Sequence, residues 1–141
     1  MKLLAVVDQL KGLVAGVEGV KEAHIGINQS WPTTPAAEII PAGFDLQTLA
    51  AGGRAQLADG EVFVAVYVAM TPNLERDERE LLPIVERIVA ALRDPGFDST
   101  LGGLVEDVRP VKVEFDLVKR NDRLYRSALI QVAVGDLTQP L

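Results

Sequence analysis

The chain has 141 residues, with 14 Lys and Arg against 20 Asp and Glu, a single histidine and no cysteine. Its net charge of −6 argues against DNA or RNA as the main ligand, because nucleic-acid-binding proteins usually carry a basic footprint. The acidic balance also disfavours docking on anionic membranes, and no apolar run approaches the roughly 20 residues of a membrane span. The absence of cysteine excludes a disulfide framework and thiolate chemistry.

The length predicts one domain over residues 1–141, large enough to bury a hydrophobic core. The apolar N-terminus briefly resembles a signal peptide, but Asp8 and Lys11 interrupt it too early, so we expect a helix of the mature protein. Gly16 and Gly19 end that helix. Its apolar face recurs at helical spacing and consists of Leu3, Val7, Leu10, Val14 and Val17.

The next stretch predicts a strand, a loop and a second strand. Residues 20–27 form the first strand, and residues 29–35 form a loop because two prolines fix φ and remove hydrogen-bond donors. Residues 36–44 are largely apolar, and Pro41 within them indicates an edge strand or a strand end.

Residues 45–60 form the least regular stretch of the chain. They contain two glycine-bearing pairs and show no strong hydrophobic period. A weak helical turn at residues 46–51 and a β-arm that orders only on contact are both compatible with this pattern. Irregular segments of this length are uncommon in compact domains, so we expect this one to be mobile or to depend on a partner.

Residues 61–70 give the clearest strand, because both of its alternating faces are apolar. Such a strand is expected at the centre of a sheet that is covered above and below. Pro83 fits the first turn of a helix, so we expect the following helix to begin near residues 79–82. Its apolar face consists of Leu81, Val85, Ile88, Val89 and Leu92.

The C-terminal third predicts an antiparallel β-hairpin. Residues 108–118 and 124–134 alternate between apolar and other side chains, and a short charged turn joins them. With the two helices, these strands predict an α+β fold, in which a mostly antiparallel β-sheet is flanked on one side by two α-helices and ends in a C-terminal β-hairpin.

Few residues could carry catalysis. His24 lies in a predicted strand without a partner to orient it, so a half-buried or surface histidine is the favoured interpretation. The two Gly-Gly pairs lack the Lys-Ser/Thr of a phosphate loop, and no serine lies in a nucleophile-elbow pattern. The sequence therefore predicts no catalytic, cofactor-binding or metal-binding residue, and no enzymatic activity.

Glu75, Asp77, Glu78 and Glu80 form an acidic cluster. Paired carboxylates can bind cations, yet two arginines interleave these residues and no calcium-loop spacing occurs. We interpret the cluster as a solvated approach to the second helix, with a cation site or a subunit contact as the alternative.

Trp31 lies in the proline-bearing loop and is the only tryptophan. Exposed Trp side chains often anchor protein interfaces. A Trp that tucks beneath its loop to close an edge of the core fits the sequence equally well, so both alternatives stay open.

The order of elements resembles the tail terminator family, within the tail-completion or head-tail joining proteins of long-tailed bacteriophages. The resemblance is good beyond residue 61, whereas the first 60 residues agree only in size and element order. The residues that carry it are Leu82-Pro83-Ile84-Val85-Glu86-Arg87-Ile88-Val89-Ala90-Ala91-Leu92, then Thr100-Leu101-Gly102-Gly103-Leu104-Val105, and the alternating strands at 111–117 and 125–134.

The resemblance implies a structural virion assembly protein without catalytic residues. Such a subunit forms a ring, expected to be a hexamer, that caps the tail tube, stops its polymerisation and provides the head-joining surface. The implied partners are the chain itself, the tail-tube protein and a head-completion or neck protein, while DNA passes through the channel without specific binding. The implied location is the head-proximal end of the virion tail, after assembly in the host cytoplasm.

A ring of this kind needs a head-to-tail interface, and strand edges flanked by long loops can supply one. We therefore expect contacts at the hairpin turn, the 45–60 segment and the tryptophan loop. The interface candidates are Trp31, Arg54, Lys119, Arg120, Asn121, Asp122 and Arg123.

Two alternatives to a tail terminator remain at this point. A head-completion or neck protein of the same virion belongs to the same structural class. A non-viral small binding module, such as a small-ligand domain or a secretion-system adaptor, belongs to a different one. A flanking tail-tube or portal gene would favour the virion, whereas a subunit that forms no ring would favour the binding module.

Overall fold

The computed structural model describes residues 3–27, 31, 33–48, 55–135 and 139–140. The elements are α1 (Leu3–Ala15), β1 (Glu22–Ile25), β2 (Ala36–Thr48), β3 (Ala55–Ala69), α2 (Leu74–Arg93), β4 (Asp107–Arg120), β5 (Arg123–Gly135) and β6 (Gln139–Pro140). The strands form one sheet in the order β1-β2-β3-β5-β4, and β6 pairs with the outer end of β3. β1 runs parallel to β2, and the other described pairs are antiparallel.

Both helices pack on one face of this sheet, which confirms the predicted α+β fold with its C-terminal β-hairpin. α1 contacts β1 and β2, whereas α2 contacts β3, β5 and β4. The predicted central strand is also confirmed, because β3 lies between β2 and β5. The side chains that β3 and β5 bury beneath the helices are Val62, Val64, Val66, Val68, Ala128, Ile130, Val132 and Val134.

The predicted apolar face of α2 is the face that meets the sheet. Ile88 is fully buried there, with Leu81, Val85 and Leu92 also buried and Val89 partly buried. We expect Ile88→Ala to lower the free energy of unfolding by about 2–5 kcal/mol, because the change removes buried methyl groups and leaves a cavity. Urea denaturation followed by circular dichroism measures this loss. Glu86→Ala, on the exposed face of α2, is the control and should stay within about 0.5 kcal/mol of wild type.

The predicted start of α2 near residues 79–82 is wrong, because the helix begins at Leu74 and contains Pro83 in its interior. The Asn73 side chain caps the helix by accepting a hydrogen bond from the Arg76 backbone N–H at 3.1 Å. Acidic residues in the first turn add a favourable interaction with the helix dipole. This cap and the packing of the apolar face outweigh the cost of an interior proline.

Segment 45–60 is a β-arm wherever it is described. Residues 45–48 of β2 pair with residues 56–59 of β3, so the alternative of a helical turn is wrong for residues 46–48. The arm extends past β5, because the pairing of β3 with β5 ends at Gly60 and Val134, and β6 pairs with β3 near the outer end of the arm. Residues 49–54, which include the interface candidate Arg54, lie outside the described residues.

β2 departs from a regular strand at Pro41. β1 pairs with β2 only as far as Ile39, so Pro41 lies where β3 is the neighbouring strand among the described residues. The ladder shifts register between Pro41 and Gly43. This position agrees with the predicted edge, where a residue that cannot donate to a neighbouring strand is tolerated, and not with a strand end, because β2 continues to Thr48.

Gly60 lies at the base of the arm, where a side chain has no room. A Cβ atom there would lie 2.1 Å from the Gly43 carbonyl oxygen and 2.3 Å from Phe44 Cδ1. We expect Gly60→Ala to destabilise the protein by about 1–3 kcal/mol, because backbone atoms must shift to accommodate the methyl group. Thermal denaturation tests this, with Gly43→Ala as the matched control, since nothing lies within 4 Å of a Cβ atom at that position.

Candidate assembly surface

The turn of the β4–β5 hairpin presents most of the predicted interface residues. Asn121 and Asp122 have φ angles of 50° and 61°, as in the two-residue type I′ turns that match the twist of a hairpin. Both are exposed, as are Lys119 and Arg123 on either side. The structure therefore gathers four of the seven candidates at one exposed tip.

An apolar surface borders this tip, which we call the β4 patch: Leu74, Phe115, Leu117 and Leu124. All four side chains are exposed, Leu117 to 56%. Leu117 and Leu74 line one cleft of about 230 Å³ at the N-terminus of α2. Exposed large apolar side chains that cluster in this way are typical of interaction sites.

β4 is also an edge of the described sheet, since β5 is its neighbour there. Near its start the edge is blunted by Pro110 and by a register shift before Lys112. An ion pair of 2.6 Å joins Lys112 to Glu114 further along. The part of β4 closer to the hairpin tip has neither a proline nor a register shift and carries the exposed Phe115 and Leu117. This part of the edge is therefore the most open to a partner.

On the face of the sheet away from the helices, which we call the second face, the partly buried Arg120 forms an ion pair with Glu38. Its Nη1 donates to the two Glu38 carboxylate oxygens at 3.0 and 3.1 Å, and its Nη2 donates to the Tyr67 hydroxyl at 2.8 Å. Glu38 is fully buried. A buried carboxylate needs such a partner, because an unpaired charge in the interior is strongly unfavourable.

Trp31 completes this group, which we call the Arg120 cluster: Arg120, Glu38, Tyr67 and Trp31. The Trp31 ring stacks on Tyr67 with centroids 4.1 Å apart, and it meets Tyr125 edge-on at 4.7 Å. The Arg120 guanidinium lies 4.9 Å from the Trp31 ring and 4.8 Å from the Tyr67 ring. Trp31 is only 1% exposed, so the alternative in which it tucks beneath its loop is the one observed.

The ion pair between Arg120 and Glu38 shows that the β4–β5 hairpin curves over the second face of the sheet. Glu38 lies in register with Ala65 and Leu129, whereas Arg120 pairs with Arg123 at the start of β5. On a flat sheet this offset amounts to roughly 20 Å along the strands, with two strands in between. The two side chains cannot span that distance, so the outer part of the hairpin must fold over the second face.

Burial governs the protonation of Tyr67 in this cluster. Burial raises the pKa of the Tyr67 hydroxyl well above its usual range, and the Glu38 charge raises it further, whereas the Arg120 charge acts in the opposite direction. The phenol therefore stays neutral.

The sequence pointed to Trp31 and Arg120 but not to Glu38. The available signal was a single acidic residue in the otherwise apolar run from Ala36 to Ile40. A charge at such a position predicts a buried partner, although the sequence does not identify which one. The structure places Trp31 and Arg120 mainly inside the subunit, where they hold the hairpin tip against the sheet.

His24 is half-buried, as expected, and its side chain is 38% exposed. Its Nε2 lies 2.8 Å from the Glu22 carboxylate, which also accepts a hydrogen bond from the Thr33 backbone N–H at 2.6 Å. The Thr33 hydroxyl donates to the same carboxylate. These contacts tie the loop that carries Trp31 to β1.

The Thr33 hydroxyl, followed by His24, holds the pKa of Glu22 below its usual value of 4.5. A carboxyl group whose pKa falls on folding stabilises the folded state above its unfolded pKa, and this contribution disappears as the pH falls through the folded value. When the pH is lowered from about 5 to about 3, we therefore expect the free energy of unfolding to fall less in Glu22→Gln than in wild type.

Urea denaturation at the two pH values, followed by Trp31 fluorescence, measures this difference. Glu86→Gln, an exposed carboxylate on α2, is the matched control. An identical pH dependence in wild type and Glu22→Gln would contradict the prediction.

The acidic cluster lies inside the first turns of α2 and not on an approach to the helix, and its residues divide into different environments. Asp77 is buried and accepts hydrogen bonds from the Thr71 backbone N–H and hydroxyl at 2.9 and 2.8 Å, so the solvated interpretation is wrong for it. Glu78 pairs with Arg126, and Glu75 stays exposed. Within the described residues, no three His, Asp or Glu side chains are grouped to hold a metal ion.

The comparisons with known proteins identify no family. No protein-family model matches this chain, and a comparison with curated proteins gave no significant match. Among solved structures, the chain is similar to one in a structure titled "Virion of native gene transfer agent (GTA) particle". That match covers 94% of each chain at 12% identity, with a TM-score of 0.44. No helix of the described residues is long and apolar enough to cross a membrane.

Proposed function

We propose that this chain is a tail terminator of a long-tailed bacteriophage, a structural protein that caps the tail tube as a ring. The observation that carries the proposal is the β4 patch on an open sheet edge, because a lone subunit leaves these apolar side chains in water. The order of elements, which resembles the tail terminator family, supports this choice over other assemblies.

The proposed ring contains about six copies and sits on the last ring of tail-tube protein. There it stops polymerisation and offers the head-joining surface to a head-completion or neck protein. The exposed hairpin tip and the arm, in which β2 and β3 stay paired beyond the end of the β3–β5 pairing, are the surfaces that we propose contact a neighbour. The role needs no catalytic residue, and we propose none.

The negative net charge of the chain suits a ring through which DNA passes. DNA must pass through the ring without binding to it, and an acidic subunit repels the phosphate backbone. We propose that the ring lies at the head-proximal end of the tail after assembly in the host cytoplasm.

Light scattering of the purified protein, alone and with assembled tail tubes, tests the proposal. We expect rings of about six subunits, either free at high concentration or only on tube ends, and electron microscopy should show capped tubes that no longer elongate. Binding to neck or portal assemblies without binding to tube ends would instead indicate a head-completion protein. A subunit that stays monomeric and binds neither would overturn the virion role.

A small binding module is the second candidate, and a cavity on the second face favours it. The cavity has a volume of about 410 Å³, and Tyr67, Asp116 and Ser127 contribute to its lining. Nearby, the Trp31 Nε1 and the Tyr125 hydroxyl are buried without a hydrogen-bond partner among the described residues. A small metabolite that raises the melting temperature of a strictly monomeric protein would support this function.

A further inference from the structure

The tip of the β4–β5 hairpin extends beyond the strand that supports the rest of the hairpin. The pairing of β3 with β5 ends at Tyr125, and the Met70 backbone N–H donates once more to the Leu124 carbonyl oxygen at 3.0 Å. Residues 119–123 lie past this point, where β4 and β5 pair with each other as a two-stranded ribbon. Such a ribbon is only marginally stable on its own in water. The contacts of Arg120 with the second face therefore decide whether the tip is seated on the subunit.

The other end of the Arg120 cluster is fastened to β1, the opposite edge of the described sheet. Thr33 follows Trp31 by two residues, and both its backbone N–H and its hydroxyl donate to the Glu22 carboxylate. The Lys21 backbone N–H donates to the Pro35 carbonyl oxygen at 2.8 Å. These bonds fix the chain on the C-terminal side of Trp31 against the start of β1.

Trp31 connects the two ends of the cluster. Its ring stacks on Tyr67 and lies 4.9 Å from the Arg120 guanidinium, which also donates to the Tyr67 hydroxyl. The buried indole keeps water from one side of the guanidinium, and charged hydrogen bonds are stronger where water is excluded. Displacing Trp31 would therefore weaken the bonds from Arg120 to Glu38. Displacing Arg120 would in turn remove a surface against which Trp31 packs.

From these contacts we infer that the hairpin tip and the Trp31–Thr33 stretch form one cooperative unit, in which loosening one end loosens the other. The tip has a seated state and a released state, and the bond between Thr33 and Glu22 biases the choice between them. Such a coupling is reciprocal, so a partner that binds the tip changes the stability of the contact at β1. The inference does not depend on the proposed function, because every contact that carries it lies within one subunit.

Amide hydrogen exchange, measured residue by residue on the full chain by nuclear magnetic resonance, tests the coupling. Glu22→Ala removes the acceptor of both Thr33 bonds without altering any residue of the Arg120 cluster. It should speed exchange of the amides of residues 119–124 at least about threefold. Val89→Ala is the matched control, because Val89 packs against the core on the helix-covered face. It should leave exchange at the tip as in wild type.

The reverse experiment perturbs the tip and observes β1. Arg120→Lys keeps the positive charge but loses the planar guanidinium that donates to Glu38 and Tyr67 together. Exchange of the Lys21 amide, which donates to the carbonyl oxygen of Pro35, should become faster by a similar factor. Lys119→Ala, at the exposed neighbouring position, should leave the Lys21 amide unchanged.

Faster exchange at the far end in both variants supports the coupling. If Glu22→Ala speeds exchange of the Lys21 amide but leaves residues 119–124 as in wild type, the two ends are independent and the inference is overturned. Equal acceleration at the tip and throughout α2 would also overturn it, because it would indicate general destabilisation. Should Arg120→Lys fail to fold, the Glu22→Ala result alone decides.

A third variant tests the part assigned to Trp31. Trp31→Leu keeps an apolar side chain but removes the ring that lies over Arg120 and Tyr67. In this background, adding Glu22→Ala should produce no further acceleration at the tip. Further acceleration by the same factor as in wild type would overturn the assignment of Trp31 as the link.

Discussion

Arg120→Ala should lower the free energy of unfolding by about 3–5 kcal/mol, because it leaves the fully buried Glu38 carboxylate without its cation. Single domains are stable by only about 5–15 kcal/mol, so this loss should bring the protein close to unfolding at room temperature. The hairpin tip should loosen as well, since Arg120 is the residue that fastens it to β2. Urea denaturation followed by far-ultraviolet circular dichroism measures the effect.

Lys119→Ala is the matched control, because Lys119 is the exposed neighbour of Arg120 on the same strand. It should change stability by no more than about 0.5 kcal/mol. The double variant Glu38→Leu with Arg120→Met should be more stable than Arg120→Ala, since it removes both charges together. If the free energy of unfolding of Arg120→Ala lies within about 1 kcal/mol of the wild-type value, the ion pair does not hold the hairpin.

Trp31→Ala should cost about 3–5 kcal/mol, because it removes the largest buried side chain of the second face. It also removes the stacking on Tyr67 and uncovers the Arg120 guanidinium. Thermal denaturation followed by circular dichroism measures this loss without depending on tryptophan fluorescence.

Trp31→Phe is the informative comparison. It keeps a ring on Tyr67 and deletes the indole Nε1 hydrogen, which has no acceptor among the described residues. Its loss should therefore be clearly smaller than that of Trp31→Ala. Equal losses for the two substitutions would mean that ring stacking contributes little to the stability of the second face.

Regular hydrophobic spacing made much of this fold predictable. The alternating valines of β3 identified a central strand, and the spacing from Leu81 to Leu92 identified the buried face of α2. The hairpin was equally clear, because its two strands alternate over their whole length around a short polar turn. In each case the pattern repeats within a few residues, so it identifies the element from neighbouring side chains. In β4 it does not report burial, because Phe115 and Leu117 on the apolar face are exposed.

Two features could not be predicted from the sequence, because each depends on specific side-chain interactions. The start of α2 depends on the Asn73 cap and on Asp77, whose carboxylate accepts a hydrogen bond from Thr71. The position of Pro83 alone predicts a later start, which is why the predicted helix begins too late. The pairing of Glu38 with Arg120 joins strands far apart in sequence, through a coil of the hairpin that no local pattern encodes. The residue types suggest a helix cap and an ion pair, but only the tertiary structure identifies the partner residues.

The turn at Asn121 and Asp122 has a kinetic consequence. Its backbone is already in the left-handed conformation, and Arg120, immediately before it, is bound to the body of the subunit. Ordering a loop residue costs roughly 1–2 kcal/mol of conformational free energy, and here that cost is met when the subunit folds. A neighbour that docks at the tip therefore meets a surface that needs no conformational search, so the rate of encounter would set the rate of association.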